Sequence, residues 1–171
     1  WCRRFWLDYC AVSIVTRRVS ILGVTGSIGQ NTLDLLRRDP TAYHVVALSG
    51  GRNITQLAKD ALEFSPEVVV TAFDDLLPEL QAAMAGSGVA VEAGAQAIAC
   101  AAERPADWIM SCIVGVAGLA PSLHAVQQGT TLALANKESL VAAGPILLEE
   151  ARCHGATILP VDSEHSAVFQ A

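Results

Sequence analysis

Residues 19–29 read Val19-Ser20-Ile21-Leu22-Gly23-Val24-Thr25-Gly26-Ser27-Ile28-Gly29, a strand, a glycine turn and the start of a helix in eleven residues. Val19 to Val24 is short, apolar and rich in β-branched residues, the composition of a strand buried on both faces. Ser27 can cap a helix that runs through Leu36 and ends before Asp39-Pro40. Between strand and helix the glycines recur every third residue. Small residues there let the backbone approach a pyrophosphate, and the helix start offers free N–H groups and the positive end of its dipole. Thr25 and Ser27 add hydroxyl donors, and Gly29 lets the helix pack close to the sheet. The spacing is GxxGxxG rather than GxGxxG, so its position after the first strand carries the argument. The competing reading is a tight turn that binds nothing.

Outward from this turn the pattern repeats. Val45–Leu48, Val68–Ala72, Val89–Glu92, Trp108–Val114, Thr131–Ala135 and Thr157–Asp162 read as further strands. Helices are expected over 54–64, capped by Asn53, from Asp74 through the segment DDLLPELQAAMAG, and near 95–102. Another has Pro121 in its first turn and stops at Gly129, and one runs over 138–153 with a kink at Gly144-Pro145. Short apolar strands alternating with amphipathic helices predict an α/β fold, a doubly wound and mostly parallel sheet of the Rossmann-like kind.

Composition sets outer limits. Of 171 residues, 52% are apolar and 16% charged, which excludes a disordered chain. The net charge of −6 argues against a nucleic-acid or membrane-surface binder. Residues 1–18 differ from the rest, with Arg3, Arg4, Arg17 and Arg18 against Asp8, together with Trp1, Phe5, Trp6 and Tyr9. They fit a signal or transit peptide poorly and are expected to be an extension outside the fold. Without them the seven basic and sixteen acidic residues of 19–171 give a net of −9. Five widely spaced cysteines without CxxC predict neither a disulfide framework nor a zinc site, but reduced, buried thiols in a cytoplasmic protein. The charge-free stretch 108–136 is long enough for a membrane span, yet its glycines, glutamines and Pro121 favour two buried strands around a helix.

Three polar clusters stand where strands end, the edge at which open α/β sheets place ligands. After the second strand comes Ser49-Gly50-Gly51-Arg52-Asn53, without the acid that would hold the ribose hydroxyls of NAD. Arg52 offers a planar fork of donors suited to a phosphate, which favours NADP(H). Asn136-Lys137-Glu138-Ser139 follows the sixth strand, and there Lys137 can bind a phosphate or carbonyl oxygen or simply be solvated. Asp162-Ser163-Glu164-His165-Ser166 follows the seventh. Asp162 and Glu164, two apart on extended chain, would face one side and suit Mg²⁺ or Mn²⁺. Equally, Asp162 or Ser163 could cap a helix beginning there.

GVTGSIG with NTLDLLRR, SGGRN, ALANKESLV and PVDSEHSAVFQ, in this order from Val19 to the last residue, resemble the deoxyxylulose phosphate reductoisomerase family of non-mevalonate isoprenoid biosynthesis. The resemblance implies a metal- and NADPH-dependent rearrangement and reduction of a phosphorylated ketose, 1-deoxy-D-xylulose 5-phosphate, to 2-C-methyl-D-erythritol 4-phosphate. It implies NADPH contacts from Thr25, Gly26, Ser27 and Ile28 at the pyrophosphate, from Gly51, Arg52 and Asn53 at the adenosine phosphate, and from Asn136 and Glu138 nearer the nicotinamide. It further implies catalytic roles on substrate for Lys137, Ser163 and Glu164, and Mn²⁺ or Mg²⁺ on Asp162 and Glu164. Val24 stands where the family often has Ser.

The family's chain continues past this point with another carboxylate ligand, the substrate phosphate site, a mobile loop and a helical domain. The sequence is therefore expected to be an N-terminal part, inactive alone. Residues 19–153 would form the NADP(H)-binding domain and 154–171 the beginning of the catalytic, metal-binding domain. A homodimer in the cytoplasm is the expected state of the whole enzyme. The other readings are a second kind of NADP-dependent dehydrogenase, for which no cysteine stands in an activating context, and an NADP(H) sensor, which would need no metal pair.

Overall fold

The computed structural model describes residues 16–161; Asp162, Ser163, Glu164 and His165 lie outside them. Along the described chain run β1 (Arg17–Leu22), α1 (Ser27–Arg37), β2 (Tyr43–Gly50), α2 (Ile54–Phe64), β3 (Val68–Thr71), α3 (Leu77–Ala83), β4 (Ala90–Ala93), α4 (Ala95–Ala102), β5 (Trp108–Ser111), α5 (Leu119–Gln127), β6 (Thr131–Leu134), α6 (Lys137–His154) and β7 (Thr157–Pro160). The seven strands form one parallel sheet in the order β4-β3-β2-β1-β5-β6-β7. The chain thus winds outward from β1 to β4, returns, and winds outward the other way from β5 to β7. The order reverses between β1 and β5.

Strand alternation sorts the core into two faces. Val19, Ile21 and Val69 pack with Leu33 and Leu36 of α1 and Leu57 and Ala61 of α2. On the opposite face Leu22, Ile109 and Leu132 pack with Ala125, Val126 and Leu147, while Val68 and Val70 pack with Ile98 and Ala101 of α4. The register of β1 on β2 slips by one residue between Val19 and Ser20 and then runs evenly to Leu22 opposite Ser49.

Several local expectations change. β1 begins at Arg17, ahead of Val19, because Arg18 is satisfied within the fold: its N–H and side chain donate to Asp107, Pro105 and Glu67 at 2.8–2.9 Å. The cap of α1 is Gly26 rather than Ser27, and Asp74 opens a 3-10 turn rather than capping a helix. Asn53 caps α2 as expected, accepting from Gln56 N–H at 3.1 Å. α6 breaks its helical geometry at Ala143, two residues before Pro145. The charge-free stretch becomes β5, α5 and β6, and no described helix is long and apolar enough to cross a membrane. β7 joins the same sheet beside β6, so the sheet extends beyond Cys153. Of the three described cysteines, all free, Cys100 and Cys153 are exposed, contrary to the expectation of burial.

α1 and α2 are held together by charge as well as by their apolar faces. Arg37 lies 5.3 Å from the Phe64 ring centroid and donates to both carboxylate oxygens of Glu63, at 2.6 and 2.8 Å. That pair holds the Glu63 carboxyl below its ordinary range. A carboxylate lowered by folding stabilises above its unfolded-state pKa, and the contribution fades as the pH falls through the folded one. Glu63→Gln is therefore expected to lower the urea midpoint near neutrality and to match the parent in acid. A gap persisting in acid would assign the effect to packing instead.

Candidate functional site

The C-terminal ends of β1, β2 and β5 frame a cleft of about 330 Å³ at the point where strand order reverses. Gly23 follows β1 with φ +94°, and a Cβ there would meet the Cys112 carbonyl group at 2.8 Å. The Gly23 N–H donates to Ser49 O at 3.0 Å and the Val24 N–H to the same oxygen at 2.7 Å, which pins the loop to β2. On its other side the Cys112 N–H donates to Leu22 O at 2.9 Å and the thiol to Leu22 O at 3.1 Å. Burial pushes that thiol up to about 12, so Cys112 is a packed floor and no nucleophile at neutral pH.

The glycines of the loop differ in what they permit. A Cβ at Gly29 would strike the Val24 carbonyl oxygen and lie 2.6 Å from the Val24 Cα and carbonyl carbon, so α1 sits against the loop's backbone. Gly26 has open space, with its nearest neighbour, Gly23 O, at 3.6 Å. It starts α1 in an extended conformation and brings no capping side chain. The first rung of the helix is Gln30 N–H to Gly26 O, so the N–H groups of Ser27, Ile28 and Gly29 precede the ladder. Gly26 and Ser27 are exposed, and Thr25 and Gly26 line the cleft. This is the free helix N-terminus expected of an anion site.

A buried network that the sequence does not announce supports the loop from below. Asp60 is wholly buried and accepts from Gln30 at 2.6 Å and Gln56 at 2.8 Å, with Arg37 at 3.8 Å. The same Gln30 amide donates to Val24 O at 3.1 Å, tying the glycine loop to α2.

Across the cleft mouth, Gly51 lines the wall and Arg52 stands about two-thirds exposed. Its guanidinium lies 3.9 Å from the Phe73 ring centroid, and Nη1 is 3.4 Å from Asp75 Oδ2. Nothing in the sequence marks Phe73 or Asp75, since their pairing with Arg52 crosses from the end of β2 to the end of β3.

Asn136 is buried, and its side chain is fully engaged. Nδ2 donates to Ile113 O at 2.6 Å and Gly115 O at 2.7 Å, and Oδ1 accepts from Ser139 N–H at 3.1 Å as the cap of α6. Gly118 leaves room for this amide: a Cβ there would strike Nδ2. Glu138 is exposed in the first turn of α6, and Lys137 begins that helix. Of the residues expected at the site, Thr25, Gly26 and Gly51 line the one cleft, Ser27, Ile28, Arg52 and Asn53 adjoin them in sequence without lining it, and 136–138 stand at the end of β6. Asp162, Ser163 and Glu164 lie outside the described residues, among which no cluster of three or more His, Cys, Asp or Glu could hold a metal.

Sheet order, glycine loop and open helix N-terminus together define a Rossmann-like α/β domain. The chain belongs to the 1-deoxy-D-xylulose 5-phosphate reductoisomerase family, whose model matches residues 19–144. It is 69% identical over 155 residues to the reductoisomerase of Jannaschia sp. (strain CCS1), across 91% of this chain and 39% of that one. Among solved structures it resembles the Zymomonas mobilis reductoisomerase in complex with NADPH, with a TM-score of 0.89, 49% identity, and coverage of 91% of this chain and 41% of that one. A reductoisomerase in complex with NADPH, fosmidomycin and magnesium matches with a TM-score of 0.86 at 39% identity, over 90% of this chain and 38% of that one. The chain therefore spans about two fifths of the length of these relatives.

Proposed function

We propose that this chain forms the NADPH-binding part of a 1-deoxy-D-xylulose 5-phosphate reductoisomerase, an enzyme that turns its ketose phosphate into 2-C-methyl-D-erythritol 4-phosphate. The observation that carries this reading is the uncapped start of α1 beside a cleft lined by Thr25, Gly26 and Gly51, with the exposed Arg52 following Gly51 in the chain. The two positive features are matched to the two phosphate groups of one nucleotide. The residues present fit NADPH: the loop has glycines where the backbone must come close, and no carboxylate stands in the Ser49–Asn53 turn to repel a ribose phosphate. Bound there, NADPH would supply a hydride.

The chain's own residues bind and orient. The N–H groups of Ser27 and Ile28, with the hydroxyls of Thr25 and Ser27, donate to the pyrophosphate past Gly26. Arg52 offers its fork to the 2′-phosphate, and Gly51 and Asn53 shape the turn that presents it. Asn136 acts by holding the 113–115 loop at the next strand end, while Glu138 and Lys137 open α6 toward the nicotinamide and the substrate. Mn²⁺ or Mg²⁺ belongs to this reading through Asp162 and Glu164, with Ser163 and Glu164 toward substrate. A cytoplasmic location accompanies the reading, supported by the free cysteines among the described residues.

Comparing nucleotides tests it. The protein is expected to bind NADPH in preference to NADH, and Arg52→Asp to weaken NADPH binding about 10- to 100-fold, as for a lost charge-assisted contact. An unchanged preference in Arg52→Asp would reject the assignment of Arg52. Full-length protein carrying this sequence that fails to turn over the ketose phosphate with NADPH and Mn²⁺ would reject the activity.

A further inference from the structure

Arg52 is held by neighbours of opposite effect, and we propose that these neighbours, Phe73 and Asp75, set the selectivity for a 2′-phosphorylated nucleotide. The inference rests on the NADPH reading above. Phe73 is a positioning residue: it takes one face of the guanidinium, at 3.9 Å from ring centroid to Cζ. Stacking uses the face and leaves the N–H donors free at the edge, in the plane where a phosphate meets them. Asp75 is a resident competitor for that edge, with Oδ2 at 3.4 Å from Nη1.

The backbone around Phe73 makes this placement reproducible. Thr71 is buried at the end of β3, and its hydroxyl donates to Gly51 O at 3.1 Å while accepting from the Phe73 N–H at 3.4 Å. Ala72 N–H donates to Gly50 O at 2.8 Å. The turn bearing Arg52 and the turn bearing Phe73 are therefore fastened to each other directly. A guanidinium on a flexible stem, otherwise free to sweep through solvent, is kept over one spot beside the cleft. Phe73 itself lines that cleft.

The Arg52–Asp75 pair is long and both partners are about two-thirds exposed, so solvent screens it and it is weak. A phosphomonoester, carrying more charge than one carboxylate and three acceptor oxygens, takes the edge from Asp75 without a large penalty. Asp75 still costs some of that affinity by competing for the donors and by repelling the incoming charge. Through Arg52 the two residues act on the 2′-phosphate, which a plain ribose lacks. Phe73 raises the discrimination and Asp75 restrains it.

The test titrates the protein with NADPH and NADH, and with 2′,5′-ADP and 5′-AMP as fragments that lack the nicotinamide. Phe73→Leu is expected to weaken NADPH and 2′,5′-ADP about three- to tenfold while NADH and 5′-AMP hold. Phe73→Tyr, which keeps a stacking face, should restore binding. Asp75→Asn is expected to tighten NADPH and 2′,5′-ADP about threefold, with the gain shrinking at high salt. Parallel shifts for phosphorylated and plain nucleotides would reduce Phe73 to a structural residue and overturn the inference. So would an unchanged NADPH-to-NADH ratio in Phe73→Leu and Asp75→Asn when the parent prefers NADPH. A parent with no preference would instead overturn the NADPH reading beneath it.

Discussion

Gly29→Ala is expected to cost about 3 kcal/mol of stability, on the order of a 10 °C fall in Tm for a domain of this size. The added methyl would strike the Val24 carbonyl oxygen and sit 2.6 Å from two further Val24 backbone atoms. Backbone cannot swing aside as a side chain does. Either α1 lifts from the sheet, opening the contacts of Leu33 and Leu36, or the glycine loop deforms. Each response also moves the free N–H groups, so nucleotide binding falls with stability. Gly26→Ala is the control from the same motif: its methyl finds only an ordinary contact at 3.6 Å, with φ −81° open to any residue. Thermal unfolding of both variants checks the contrast. Equal loss at both positions would show that the motif matters for loop flexibility rather than for close approach.

Asn136→Ala is the second large effect, at about 3 kcal/mol. Truncation leaves the Ile113 and Gly115 carbonyls without their donor and removes the cap of α6. Asn136→Asp separates these parts. The carboxylate can still accept from Ser139 N–H, but it can no longer donate, and it sets negative charge against two carbonyl oxygens. Asp is therefore expected to be no better than Ala near neutral pH, although Asp is as good a helix cap as Asn elsewhere. Urea unfolding of the two variants decides; an Asp variant as stable as the parent would mean that the cap alone matters.

Fold class was legible because it depends on features that are local in sequence. Val19–Leu22, with the small Ser20 its one polar residue, Val68–Val70 and Leu132–Leu134 are too short and too apolar for anything but strands covered on both faces. The glycine loop, the Asn53 cap and the kink ahead of Pro145 follow from residue type alone. Hydroxyl preference favours Ser27 as the cap, whereas loop geometry puts Gly26 at that position. Arg17 and Arg18 looked foreign to a strand, since the partners of Arg18, Glu67 and Asp107, stand 49 and 89 residues away.

The candidate site was legible only as a set of residue types at strand ends. Residues 25–28 and 51–53 announce themselves through glycine and charge at strand ends. What supports them does not: Asp60 looks like any helix-surface acid until Gln30 and Gln56 close over it. Asn136 reads as a polar residue free for a ligand, because the carbonyls that occupy it belong to a loop some twenty residues earlier. Phe73 and Asp75 carry no motif at all.

The position of β1 also orders the events of biosynthesis. It is the central strand, with β2 on one side and β5 on the other. Strands β1 to β4 with α1 to α3 are continuous in the chain, and they can assemble as residues 17–93 leave the ribosome. The cleft cannot close then, because Cys112 and Ile113, which complete its floor, are synthesised later and must insert beside a strand already paired on its other edge. In a chain that folds in that order, the glycine loop and the Arg52 turn form with the first four strands, while the edge of β1 that later takes β5 stays open to wrong partners until Trp108–Ser111 are made.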